Sequence, residues 1–226
     1  MPRPVLERHE GVVVIRDDLL PGGTKSRFLS PYLKKLDADE VVYAGPAQGG
    51  AQVALATTAH QAGKRAALFV PARKKRTIYT TLAELYGARI IEVAPGYLNV
   101  LKAKAGTYCK RNGACLLPFG LDMPEAIDTI AEVARGIDYN PQEVWCAAGG
   151  GVLAKALAKA WPEADVRAVE VGKKVPFAAY RAAIPFNRKC KARPPFPSNP
   201  YYDAKAWFEC LKHKQAENVL FWNVSI

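Results

Sequence analysis

The chain has 226 residues, 50% of them hydrophobic, enough to bury a full core and to exclude a disordered or fibrous protein. Basic residues outnumber acidic ones by 32 to 21, a formal net charge of +11, so an anionic partner is expected. No apolar run reaches the ~20 residues of a membrane span, no charged-then-apolar leader opens the chain, and the five cysteines form no Cys-x-x-Cys pair, which together predict a cytoplasmic protein with free thiols and no membrane partner.

In chain order, apolar runs predict strands over 11–16, 41–45, 66–70, 89–93, 143–147, 166–171 and 218–224. Helices are predicted over 25–36, 49–62, 77–87, 124–135, 151–160 and 203–214, the one at 124–135 opening on Pro124 with Asp122 as its cap. Strands alternating with helices give an α/β fold class with mostly parallel twisted sheets and helices on both faces. The expected division is a larger domain from 1–40 and 136–226, with a smaller α/β domain, 41–135, inserted in it. The stretch from Lys173 to Pro200 holds six prolines (Pro176, Pro185, Pro194, Pro195, Pro197, Pro200) and no period, and reads as an ordered loop or lid.

Two features carry chemistry. The strand-like run Val12–Arg16 breaks at Pro21-Gly22-Gly23 and delivers Lys25 to the start of a helix, an arrangement that suits a lysine acting as a covalent nucleophile. The run Glu143–Ala148 opens through Gly149, Gly150 and Gly151 into a helix, where free backbone N–H groups and the positive helix end can hold a phosphate. Such a turn is equally what tight strand-to-helix packing requires.

The basic excess is localised. No acid occurs between Glu170 and Asp203, whereas Lys173, Lys174, Arg181, Arg188, Lys189, Lys191 and Arg193 stand there among Phe177, Tyr180, Phe186 and Phe196. A segment of this kind attracts nucleic acid through its phosphates, with aromatics able to stack on bases, or is simply a solvated face. Arg188, Lys189, Lys191 and Arg193 are the candidate DNA contacts.

The Arg16-Asp17-Asp18-Leu19 segment followed by Gly22-Gly23-Thr24-Lys25-Ser26-Arg27 resembles the pyridoxal-phosphate enzymes of fold type II, the tryptophan-synthase-β-like group, and above all their aminocyclopropanecarboxylate deaminase and D-cysteine desulfhydrase branch. Asn199-Pro200-Tyr201-Tyr202-Asp203-Ala204-Lys205-Ala206 is similar to that family's Asp-Pro-Val-Tyr-x-Gly-Lys-Ala segment, and Val219–Val224 to its last core strand. The resemblance implies a compact version of that fold with pyridoxal 5'-phosphate as cofactor. It makes Lys25 the Schiff-base lysine, Ala148, Gly149, Gly150 and Gly151 the phosphate loop, and Tyr202 the residue facing the substrate. Asp203 becomes the carboxylate at the pyridine nitrogen, where it would keep the ring protonated and electron-withdrawing. A helix N-cap or a first-turn acid is the alternative role for Asp203.

The chain departs from the family after Val41–Ala44. There the family places Gln-Ser-Asn-His, and this chain has Gln48-Gly49-Gly50-Ala51. The same loop position assigns Gln48, Gly49 and Gly50 to the cofactor site, but the two missing side chains put ring-opening deamination in doubt and leave room for a larger substrate, with Gln48 or Gln52 to supply hydrogen bonds. The expected activity is therefore that of a lyase on an amino-acid-type substrate, by decarboxylation, deamination or elimination. Together with the basic segment it points to an amino acid attached to thymine in phage DNA, in the host cytoplasm; a deaminase or desulfhydrase of free amino acids is the small-molecule alternative. The family's habit implies a homodimer.

Other readings stay open. Asp17-Asp18 with Gly22-Gly23-Thr24 also looks like the diphosphate loop of phosphoribosyltransferases, and a non-catalytic DNA-binding protein on an enzyme scaffold would retain the basic segment alone. A nucleotide P-loop needs glycine before the lysine, where Thr24 stands. His9, His60 and His213 show no metal-ligand spacing, so no metal is expected.

Overall fold

The computed structural model describes residues 2–172 and 174–226, so Lys173 of the basic segment lies outside the described residues. In chain order the elements are β1 (Leu6–His9), β2 (Val12–Arg16), α1 (Thr24–Lys35), β3 (Glu40–Ala44), α2 (Ala51–Gln61), β4 (Arg65–Pro71), α3 (Ile78–Leu85), β5 (Arg89–Val93) and α4 (Leu98–Asn112). There follow β6 (Cys115–Leu116), α5 (Pro124–Arg135), β7 (Glu143–Ala148), α6 (Val152–Ala160), β8 (Asp165–Glu170), β9 (Tyr180–Arg181), α7 (Asp203–His213) and β10 (Val219–Asn223). The chain divides into two units, 1–24 with 123–226 and 25–122. These boundaries replace the expected breaks after residues 40 and 135. One physical reason is that α5 packs along α6 and so belongs with the first unit.

The first unit is built on a six-stranded sheet in the order β1-β2-β10-β7-β8-β9. Only β1 is antiparallel to its neighbour; β2, β10, β7, β8 and β9 run parallel. Strands β2, β7 and β10 are buried along their whole length, as continuous apolar runs are when both faces of a parallel sheet are covered. Alternate residues Val12, Val14, Trp145, Ala147, Val169, Val219 and Phe221 share a cluster with Ala206, Trp207 and Cys210 of α7. Phe196 from the proline-rich segment enters the same cluster edge-on to Trp207, with ring centroids 4.9 Å apart. That insertion explains why a segment without a period is ordered: a buried phenyl ring holds it.

The second unit is a four-stranded parallel sheet, β5-β4-β3-β6. One face, with Val42, Ala44, Ala67, Phe69 and Val93, packs on Leu101, Ala105 and Cys109 of α4. Side chains alternate along a strand, so Val41, Tyr43, Leu68 and Val70 point to the opposite face, and α2 packs on β3 and β4 with α3 beside it.

The structure adds α4 to the predicted helices. Its inward stripe of Leu101, Ala105 and Cys109 is narrow and made largely of small residues, so its period is weak; the available signal is Gly113 just past its end, in the left-handed conformation of a helix stop. Short strands β1, β6 and β9 were also not predicted, since two to four residues carry no readable alternation. Pro124 does open α5, but the residue before it, Met123, is the cap position and makes no side-chain bond, which corrects the role expected of Asp122. All five cysteines are free, and no helix among the described residues is long and apolar enough to cross a membrane.

Candidate active site

At the carboxyl edge of the first unit's sheet, three chain segments meet because β10 lies between β2 and β7. The first is the turn after β2. Arg16 donates through Nε and Nη2 to the two carboxylate oxygens of Asp18, both at 2.8 Å, and Asn223 Nδ2 donates to Asp18 Oδ1 at 2.7 Å. Trp222 Nε1 donates both to Asp17 Oδ2 at 3.0 Å and to Thr24 Oγ1 at 2.9 Å. The Thr24 N–H donates to the Val224 carbonyl at 3.0 Å. Gly22 and Gly23 have φ of 83° and 69°, and a Cβ on Gly23 would collide with the Val224 carbonyl oxygen. The backbone that leads into Lys25 is thus bonded to the end of the central strand. Lys25 itself is the second residue of α1 and half-buried.

The second segment is the loop from β7 to α6. Gly151, with φ of 88°, is the cap residue of α6, and a Cβ there would collide with the Phe177 ring. A Cβ on Gly150 would meet nothing within 4 Å, so open space lies beside the loop. Among the described residues, the N–H groups of Gly149, Gly150 and Gly151 donate to no protein acceptor. Three such donors at a positive helix end make a cradle that can hold an anionic group.

The third segment brings Tyr202 and Asp203 to that cradle. A Cβ on Gly149 would stand 3.1 Å from Tyr202 Cε1, and the Tyr202 ring meets Phe186 edge-on at 5.4 Å. Asp203 is the first residue of α7 and 1% exposed; the cap position belongs to Tyr202, so of the two alternative roles it is the first-turn acid that Asp203's position meets. Burial first, and the Asp203 carboxylate second, push the Cys146 thiol up to about 12. Next on the helix, Lys205 Nζ donates to the Pro185 carbonyl at 2.9 Å, and burial holds its amine below the ordinary lysine range. The roles of Trp222, Asn223 and Lys205 were not read from the sequence; each is a polar group on a strand or helix otherwise destined for the core, which is the one signal that could have marked them.

The paired acids do not serve a diphosphate. Asp17 and Asp18 are buried and engaged by Trp222, Arg16 and Asn223, which removes the phosphoribosyltransferase reading.

In the second unit, Gln48, Gly49 and Gly50 form the turn from β3 into α2. Gln52 is not available to a ligand as expected. Its Nε2 donates to the Pro46 and Ala47 carbonyls at 2.9 and 3.0 Å, and its Oε1 accepts from Thr80 Oγ1 at 2.9 Å. Gln48 is half-buried, with Oε1 accepting from Arg73 at 3.4 Å. Arg188, Lys189, Lys191 and Arg193 are exposed in the first unit, and Lys189 Nζ lies 5.9 Å from the Tyr201 ring centroid. Among the described residues no cluster of His, Cys, Asp and Glu has metal-binding geometry.

Solved structures share this architecture. An ACC deaminase homologue superposes with a TM-score of 0.84 at 17% identity, over 100% of this chain and 90% of the other. The fold is tryptophan-synthase-β-like. Within that fold, an O-acetylserine dependent cystathionine β-synthase from Helicobacter pylori matches with a TM-score of 0.71 at 16% identity, covering 100% and 93% of the two chains. Threonine deaminase isoform 2 from Solanum lycopersicum matches with a TM-score of 0.62 at 18% identity, over 74% of this chain and 50% of its own. No protein-family model and no curated protein sequence matches the chain.

Proposed function

We propose that the protein is a pyridoxal 5'-phosphate-dependent lyase that acts on an amino-acid-type substrate by decarboxylation, deamination or elimination. The observation that carries this reading is the convergence, at one sheet edge, of the pinned turn before Lys25, the N–H groups of Gly149–Gly151, which bond no acceptor among the described residues, and Tyr202 with the buried Asp203. The deaminases and the synthase that share the fold support it. Pyridoxal 5'-phosphate, when bound, supplies an aldehyde for amines and an electron sink for a carbanion. Residues Ala148 to Gly151 would hold its phosphate, and Asp203 would keep a proton on the pyridine nitrogen. Lys25 would hold the cofactor covalently through Nζ, and its amine would serve to carry a proton to or from the substrate carbon. Tyr202 would face the substrate. The family resemblance further assigns Gln48, Gly49 and Gly50 to the cofactor.

The finer reading is an amino acid carried on a thymine base of phage DNA, acted on in the host cytoplasm by a homodimer, with Arg188, Lys189, Lys191 and Arg193 on the phosphates. Support comes from their exposure and from the absence of any acid between Glu170 and Asp203. The deciding experiment is spectroscopic. Purified protein given pyridoxal 5'-phosphate should turn yellow, and borohydride reduction followed by peptide mapping should place the pyridoxyl group on Lys25. A label on another lysine, or no absorbance change, refutes the reading.

A further inference from the structure

Lys205 has no part in the proposed reaction, yet it is only 2% exposed, a degree of burial that lysine rarely reaches without a carboxylate beside it. Among the described residues no carboxylate pairs with it. Its ammonium meets carbonyls instead. Nζ donates to the Pro185 carbonyl at 2.9 Å and, at the limit of hydrogen-bond reach, to the Phe186 carbonyl at 3.5 Å, and it lies 5.9 Å from the Phe186 ring centroid. One turn further along the same face of α7, Glu209 Oε1 accepts from the Ala183 N–H at 3.5 Å. The stretch 183–186 therefore lies along α7, with an N–H at Glu209 and its carbonyls at Lys205. The Arg188 N–H closes the turn onto the same Pro185 carbonyl at 3.0 Å.

The side chain held by this arrangement is Phe186. Its ring lies over Gly172, where a Cβ would stand 3.5 Å from Phe186 Cδ2, and it meets the Tyr202 ring edge-on at 5.4 Å. The Tyr202 ring in turn stands against Gly149 of the cradle, where a Cβ would come within 3.1 Å of it. Lys205 also lies in the helical turn that Tyr202 begins, and its N–H donates to the Tyr202 carbonyl at 3.1 Å. Its backbone thus holds the Tyr202 main chain, and its side chain holds the neighbour of the Tyr202 ring. Taking an ammonium out of water is costly, and two carbonyls offset that only in part. A charge kept there secures the order of what it bonds. Every residue in this series of contacts belongs to the first unit.

We propose that Lys205 is a positioning residue that fixes the Tyr202 ring at the glycine cradle by way of Phe186. The use of that ring toward a substrate rests on the reading of the protein as a pyridoxal-phosphate enzyme; its placement does not, so the two are tested apart. Methionine at 205 fills a similar volume but offers the carbonyls no donor, which releases Phe186. Arginine keeps both charge and donors.

The test is NMR of the full chain isotopically labelled at the tyrosine Cε positions, without cofactor and again after addition of pyridoxal 5'-phosphate. Loss of a signal in Tyr202→Phe identifies that of Tyr202. In Lys205→Met the signal should move to the position it takes in Phe186→Leu, and the double variant should move it no further, since both changes cut one path of contacts. Lys205→Arg should restore the native position. Lys205→Gln, which keeps a donor on a shorter stem, should displace the signal in the same direction by less, and it serves if the methionine variant does not fold. A Tyr202 signal that stays in place in the neutral variants, or shifts that add in the double variant, overturns the proposal and makes Lys205 a prop of the 183–188 stretch alone. Absence of yellow absorbance after cofactor addition would refute the enzyme reading separately, and the cofactor-free spectra would still decide the role of Lys205.

Discussion

A lysine amine reaches a fixed point only if the backbone beneath it is held, and here Gly23, Thr24, Trp222 and Val224 do the holding. Gly23→Ala adds a methyl group against the Val224 carbonyl and imposes a φ of 69° on a residue with a Cβ. The turn must open to relieve both, so the variant should lose about 1–3 kcal/mol of stability in urea titration. Its Lys25 should also label poorly with pyridoxal 5'-phosphate and borohydride. Normal labelling in a destabilised variant would separate the turn's structural role from placement of the lysine. Asp203 works differently, because the glycine cradle and Lys25 are expected to retain the cofactor without it. Asp203→Asn should keep the yellow absorbance and lose turnover by several orders of magnitude, each factor of ten corresponding to ~1.4 kcal/mol of transition-state stabilisation. Unchanged turnover would mean that Asp203 does not sit at the ring nitrogen.

Among the elements, the proline-rich segment shows most directly how packing can replace periodicity. Its anchors are Phe196 in the core, Cys190 N–H donating to the Pro200 carbonyl at 2.8 Å, and Asn223 Nδ2 donating to the Pro197 carbonyl at 2.8 Å. Removing the phenyl ring leaves a cavity between Trp207 and Phe221, whose centroids lie 4.9 and 6.3 Å from that of Phe196. Phe196→Ala should therefore cost about 3–5 kcal/mol and make the segment sensitive to limited proteolysis before the rest of the unit unfolds. Proteolysis that keeps pace with global unfolding would show instead that the segment and the sheet are one cooperative element. Helix α4 makes the converse point: a 15-residue helix escaped prediction because its fully buried residues are Leu101, Ala105 and Cys109, a stripe too sparse to stand out among lysines.

For the whole molecule the net charge of +11 is the dominant long-range property. If Arg188, Lys189, Lys191 and Arg193 lie on phosphates, DNA affinity should fall linearly in log–log form with salt. Removal of all four charges should flatten the slope by about 3–4 for a duplex. The same variant should keep its activity on a free small amino acid, since these side chains are exposed. A slope that does not change returns the segment to a solvated face.

Element type and order were legible in the residues themselves, because burial on both faces of a parallel sheet demands continuous apolar runs, and Gly22-Gly23 and Gly149–Gly151 can be read as turns wherever they fall. The positions of Lys25 at the start of a helix and of the glycine loop at the head of another were legible for the same local reason, whereas Tyr202 and Asp203 stood out only through the family resemblance. Tertiary structure alone decided that the last strand, β10, inserts between β2 and β7. That insertion bonds Trp222 and Asn223 to acids 205 residues earlier in the chain, and so consumes Asp17 and Asp18 as scaffold. It likewise decided that Gln52 is a strut and that Phe196 is core. A side chain's type is local information, but its partner is set by which distant strand wins the competition to bury its apolar face, and that competition is resolved only when the whole sheet assembles.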